Sequence, residues 1–141
     1  MQIETRDFGR AEINEKDIIT FVKPILGFEE YTRFVMLIDD EITGFAWLQS
    51  VEEKELCFII ANPAFIENYS PAVDDETKQA LGGEITEMWL MAAIKEDVAK
   101  TTVNLKSPLL FNMNNFTAAQ MVSEDTLPVR YAIFGGKGSE E

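Results

Sequence analysis

Two short apolar runs separated by a charged turn dominate the hydrophobic pattern of this chain. The first is Phe45-Ala-Trp-Leu-Gln-Ser50. The second is Leu56-Cys-Phe-Ile-Ile-Ala61, ahead of Asn62-Pro63, and Glu52-Glu53-Lys54-Glu55 lies between them. Both are too short for an ordinary helix and rich in aromatic and β-branched residues, so they read as the strands of a hairpin. Gln49 and Ser50 are the polar exceptions, placed where the first strand must leave the core.

The same reading extends along the chain. Ile3, Thr5 and Gly9-Arg-Ala-Glu-Ile-Asn14 predict a hairpin turning at Asp7-Phe8-Gly9. Asp17–Phe21 and Phe34–Ile38 predict strands, with a loop at Val22–Phe28, where Pro24 and Gly27 break any regular run, and a helical turn at Glu29–Arg33. Asp74 or Asp75 predicts the cap of a short helix running to Ala80-Leu81, which Gly82-Gly83 stops. Thr101–Leu105, Pro108–Phe111, Phe116–Val122 and Val129–Phe134 predict four more strands, and 135–141 a flexible acidic tail after a single domain of residues 1–134. Glu84–Lys100 is ambiguous: Glu, Met, Leu and Ala favour helix, whereas Met88–Ile94 is apolar on every face, as in a central strand. Propensity tips this segment toward helix. Many short strands with Gly, Pro and Asn turns predict a mainly β, single-domain antiparallel barrel or roll with one short helix.

Composition narrows the function. Twenty-five acidic residues against 12 basic ones give a net charge of −13 among 141 residues. Such a surface repels nucleic-acid phosphates and anionic membranes and attracts basic proteins; solubility alone would also account for it. There is no histidine, which removes His-based triads and nearly all zinc enzymes. The lone Cys57 sits in a predicted buried strand and reads as structural. The absence of a signal-type apolar segment at Met1–Asp7 predicts a cytoplasmic protein. No cofactor is expected.

The carboxylates cluster at Asp39-Asp40-Glu41, Glu52-Glu53-Glu55, Asp74-Asp75-Glu76 and Glu124-Asp125, all in predicted turns. Solvated turns do not tune an acid for catalysis, and the Asp39 turn lacks calcium-loop spacing. Gly82-Gly83 has no following Lys-Ser/Thr, so it is not a phosphate loop. Most aromatics fit strand interiors. Ile25, Leu26, Phe28, Phe65, Ile66 and Tyr69 lie in irregular segments; they either pack under the barrel rim or form an apolar patch with acidic borders, the composition of a protein-docking site.

An ordered set of short motifs resembles the flagellar assembly factor FliW family: Thr5-Arg6 with Phe8-Gly9, Ile19-Thr-Phe21, Leu26-Gly-Phe-Glu29, Trp47-Leu-Gln-Ser50, Asn62-Pro63, Asn104-Leu with Pro108, Asn112 and Gln120. They span residues 5 to 122. The chain departs from the family in Pro24, where Gly is common, and in Asp7, inserted into Thr-Arg-Phe-Gly. The resemblance implies an all-β, barrel-like fold, overruling the helical leaning at 85–95, and no enzyme activity. It implies binding to flagellin and to the RNA-binding regulator CsrA, the latter away from its RNA surface, with no direct contact to nucleic acid or membrane. A monomer is expected. The expected protein-binding residues are Phe28, Gln49, Glu52, Glu53, Asn104 and Asn112, with the alternative that the Asn and Gln side chains satisfy turn backbone groups. Two other readings stand beside this one: an acidic export chaperone without an RNA-regulator partner, and a carboxylate enzyme or ligand-binding barrel requiring a closed pocket with two facing acids.

Overall fold

The computed structural model describes residues 1–93 and 98–133, without the side chains of Phe65 and Val98. The anticipated tail 135–141, and Phe134 at the end of the expected last strand, lie outside these residues. Eleven strands and one α-helix are present among them: β1 (Gln2–Thr5), β2 (Gly9–Glu12), β3 (Ile19–Lys23), β4 (Arg33–Leu37), β5 (Phe45–Ser50), β6 (Cys57–Ala61), α1 (Asp75–Ala80), β7 (Glu87–Ala93), β8 (Thr102–Val103), β9 (Leu109–Asn112), β10 (Thr117–Gln120) and β11 (Tyr131–Ala132).

Seven strands close into a barrel in the order β7-β6-β5-β4-β3-β10-β9, returning to β7. Closure depends on the length of β7. Along one side it pairs with β6, Ala61 opposite Leu90. Along the other, its first half pairs with β9, Glu87 opposite Phe111, and its second half with β8, Ala92 opposite Val103. β11 then extends β8 outside the barrel. The barrel is antiparallel except at one seam, where β10 runs parallel to β3 with an irregularity between Ala118 and Ala119. The expected helical turn at Glu29–Arg33 is a plain turn leading into β4. Short 3-10 turns, unforeseen in the sequence, occur at Glu15–Asp17, Pro63–Phe65 and Val98–Lys100.

Strand alternation explains where the cores sit. Ile19, Phe21, Phe34, Ala46, Leu48, Ile60, Leu109, Phe111 and Ala118 point inward and fill the barrel, so among the described residues no closed pocket with facing acids occupies it. Phe21 meets Phe34 and Phe111 edge to face, at centroid distances of 5.4 and 6.0 Å. The β7 ambiguity now has a cause. Trp89 and Met91 pack inward, while Leu90 and Ala92 join a second core with Val103, Leu105, Ile66 and Tyr131 on the outside. A strand covered on both faces loses the alternation that would have marked it.

α1 lies over the outer face of β9 and β10, its end residue Leu81 buried against Leu110, Ala119 and Met121. Its start and stop are the anticipated ones. The Asp74 carboxylate accepts the Thr77 N–H at 2.7 Å, and hydrogen bonding from the Thr77 side chain, followed by this backbone bond, holds its pKa below the ordinary carboxylate value. Gly82 and Gly83, both at positive φ, carry the chain out of the helix. Asp74→Ala is expected to destabilise the fold by about 1 kcal/mol in urea unfolding at neutral pH. Because the folded-state pKa is depressed, the contribution of Asp74 is complete above the unfolded carboxylate value and disappears as pH falls through the folded one. The variant and parent should therefore converge in acid.

Candidate binding surfaces

The strand directions sort the six expected binding residues. Phe28, Gln49, Glu52 and Glu53 belong to the end of the barrel where β3 and β5 finish and β4 and β6 begin. Asn112 ends β9 at the opposite end, and Asn104 follows β8 on the outer extension. They do not form one surface.

Gln49 offers no surface at all. It points outward from β5, but the β1–β2 hairpin covers it and leaves it 0% exposed. Its Oε1 accepts the Arg6 backbone N–H at 2.9 Å. Its Nε2 faces the carbonyls of Ser50, Glu53, Lys54 and Leu56 at 3.1 to 3.4 Å, so two N–H groups are shared among four acceptors. The amide thus knots the acidic turn to the N-terminal hairpin. Arg6 completes the knot: its Nη1 donates to the Cys57 carbonyl at 2.8 Å, and Asp7 holds the guanidinium at 2.9 Å. The hydrogen bond to the Asp7 carboxylate raises the Arg6 pKa. Phe8 adds an edge-to-face contact with Trp47 at 5.1 Å.

Asn112 is also buried, its Nδ2 donating to the Leu81 carbonyl at 2.7 Å and its Oδ1 accepting from Asn114. It ties α1 to the barrel. The Asn104 Oδ1 accepts the backbone N–H groups of Lys106 and Ser107. For these three amides the turn-satisfying alternative describes the bonds present: Gln49 and Asn112 are buried, while the half-buried Asn104 turns its Oδ1 to the backbone of its own turn.

The remaining three are accessible. Phe28 is about one-third exposed (37%) and rests its ring edge on Phe58 at 5.1 Å, closing this end of the barrel. Glu52 lies 3.5 Å from the Arg33 Nε, and the Glu53 carboxylate accepts the Glu55 N–H. Of the loop residues, Ile25 is buried in the barrel core and Ile66 in the second core outside it, and Tyr69 donates its hydroxyl to the Leu105 carbonyl at 2.6 Å. Leu26 remains outside, with its backbone N–H bonded to the Gln120 Oε1. Leu26, Phe28 and the acids of the 52–55 turn are the part of the predicted patch that stays available.

The opposite end carries a feature that the sequence reading missed, an open cleft of about 750 Å3 lined by Met36, Ile38, Met88, Trp89, Met113 and Phe116. These residues come from three separate segments of the chain, and each alone resembles core.

Cys57 is buried, and desolvation pushes its thiol up to about 11 despite the nearby Arg6. Among the described residues, no group of three or more His, Cys, Asp or Glu is placed to hold a metal ion. No helix among them is long and apolar enough to cross a membrane.

The Gln49 knot generates a stability prediction. Gln49→Met keeps the volume but strands the Arg6 N–H and removes the amide donors from the turn, where the Glu53 and Leu56 carbonyls keep backbone partners. It should lower unfolding free energy by about 1–3 kcal/mol, measured by urea denaturation.

Comparison with known proteins agrees with this architecture. The model of the FliW protein family matches residues 2–133. A flagellar assembly factor FliW of Lachnospira eligens is 32% identical, covering 100% of this chain and 99% of the relative. One from Caldicellulosiruptor bescii is 36% identical over 99% of this chain and 94% of its own length. The crystal structure of a flagellar assembly factor FliW superimposes with a TM-score of 0.88 at 29% identity, covering 97% of this chain and 99% of that one. A barrel built on this order of strands, knotted at Gln49 and matched end to end by these relatives, places the chain in the FliW family of flagellar assembly factors.

Proposed function

We propose that this protein binds flagellin in the cytoplasm and, when flagellin is absent, binds the RNA-binding regulator CsrA and weakens its hold on RNA. Family membership carries this reading. The strongly acidic surface supports it. A net charge of −13 steers the protein toward a basic RNA-binding partner, and its field disfavours phosphates near the complex. Such an effect needs no occupation of the RNA site, because two ligands that alter each other's affinity are coupled by a free energy that acts equally in both directions. Flagellin and the regulator compete for the protein, so export of flagellin frees it to restrain the regulator.

The test is a titration of the regulator–RNA complex with this protein, followed by flagellin. RNA release should occur, and excess RNA should lower the apparent affinity only to a plateau; an unlimited rise in proportion to RNA would mean simple competition. Flagellin should then displace the regulator fully. A stable assembly holding both on one copy of the chain would overturn the switch, and failure to bind the regulator at all would leave an export chaperone.

The acidic turn supplies a second prediction. Association with the regulator should slow as salt rises. Glu52→Lys with Glu53→Lys should weaken that salt dependence without unfolding the protein, since both carboxylates are partly solvated. Unchanged association kinetics by stopped flow would place the contact away from this turn.

A further inference from the structure

The β1–β2 hairpin is not part of the barrel. It forms a sheet of its own, and the barrel closes without either of its strands. Ile3 and Thr5 are buried, whereas Gln2, Glu4, Arg10 and Glu12 face solvent, so one face of the hairpin is turned against the barrel.

The surface beneath it is largely apolar. Phe34, Ala46, Leu48 and Ile60 point into the barrel, so their neighbours along β4, β5 and β6 point out. Register sets Val35, Gln49 and Cys57 in one row across these strands, and Leu37, Trp47 and Ile59 in the next. The first row is 2%, 0% and 6% exposed although it lies on the outside of the barrel. The hairpin supplies the cover, with the Arg6 backbone bonded to Gln49 and the Phe8 ring against Trp47.

Few polar bonds hold the cover down. Among the described residues, the hydrogen bonds that join hairpin to barrel come from Arg6: its backbone N–H to the Gln49 Oε1, and its Nη1 to the Cys57 carbonyl. Arg6 is itself exposed, so water competes for both. No ladder bond of the barrel breaks when the hairpin leaves, because its strands pair with each other. Two strands without a third are marginal in water, so a lifted hairpin loses its own order as well. The chain then continues to β3 through residues 13–18, which hold the 3-10 turn at Glu15–Asp17.

We propose that the N-terminal hairpin is a hinged cover that opens while the barrel stays folded, with Arg6 as its latch and the acidic turn coupled to it through Gln49. The Gln49 amide gives its oxygen to the hairpin and its N–H groups to the turn. Lifting the hairpin removes the partner that fixes this amide, and the 52–55 turn loosens with it. The coupling acts in both directions, so a turn held rigid holds the cover shut. The open form displays an apolar strip of Val35, Trp47 and Ile59. The inference concerns the free protein and stands whether or not the proposed partners bind.

Native-state hydrogen exchange and Cys57 alkylation, followed in urea below the unfolding transition, test this on the full chain. The amides of β1 and β2 and the Cys57 thiol should share one opening free energy with a shallow urea dependence. The amides of β5 should open only with the steep dependence of global unfolding. Arg6→Ala should speed Cys57 alkylation by about tenfold, the worth of one charge-assisted hydrogen bond. Loss of a cation beside the thiol by itself disfavours the thiolate, so a faster reaction reports opening. The Leu56 amide, bonded to the Glu53 carbonyl within the turn, should exchange faster in the same variant. Equal opening free energies and slopes for hairpin and barrel, or alkylation unmoved by Arg6→Ala, would overturn the cover. An unmoved Leu56 amide would overturn its coupling to the turn.

Discussion

Every barrel strand needs a hydrogen-bonded neighbour on each side, and in this chain β7 meets that demand for the whole sheet. Its first half closes the barrel against β9 while its second half holds β8, so one strand edge serves two partners in succession. The consequences spread from there. The inward residues of β7 belong to the barrel core and the outward ones to the second core. The β8–β11 extension exists because β9 covers only part of the β7 edge. The parallel seam between β3 and β10 follows as well: an odd number of strands cannot alternate direction around a closed ring without one parallel neighbour pair.

Much of this was legible in the chain. The β5–β6 hairpin was visible because an acidic turn interrupts two aromatic, β-branched runs. The helix was visible because Asp74 and the Gly82-Gly83 pair are chemically specific punctuation. β7 resisted reading because Leu90 and Ala92 are covered as fully as Trp89 and Met91 need to be, which erases the period of two. Helix propensity then filled the gap wrongly, and tertiary burial outweighed it.

The candidate surfaces were less legible, for a different reason. Gln49, Asn104 and Asn112 look like exposed polar edges because amides usually face water. Here each is consumed by backbone groups that the turns leave unpaired. A single sequence does not reveal that the N-terminal hairpin will fold over β5. The methionine cleft was hidden by distance: Met36, Met88 and Met113 are remote in the chain, and only barrel closure brings them to one rim. The charge balance, by contrast, transfers directly from composition to surface, because carboxylates without buried partners have nowhere else to go.

The solitary Cys57 has a practical consequence. Packed beneath the hairpin, with its thiolate disfavoured by desolvation, it should be close to inert toward alkylating dyes in the folded protein. The chain therefore provides a nearly blank background for site-directed labelling without removal of its natural thiol. A cysteine introduced at an exposed rim position would carry the dye almost alone. Fluorophores placed at the two barrel ends in turn could then measure which end each partner approaches, molecule by molecule.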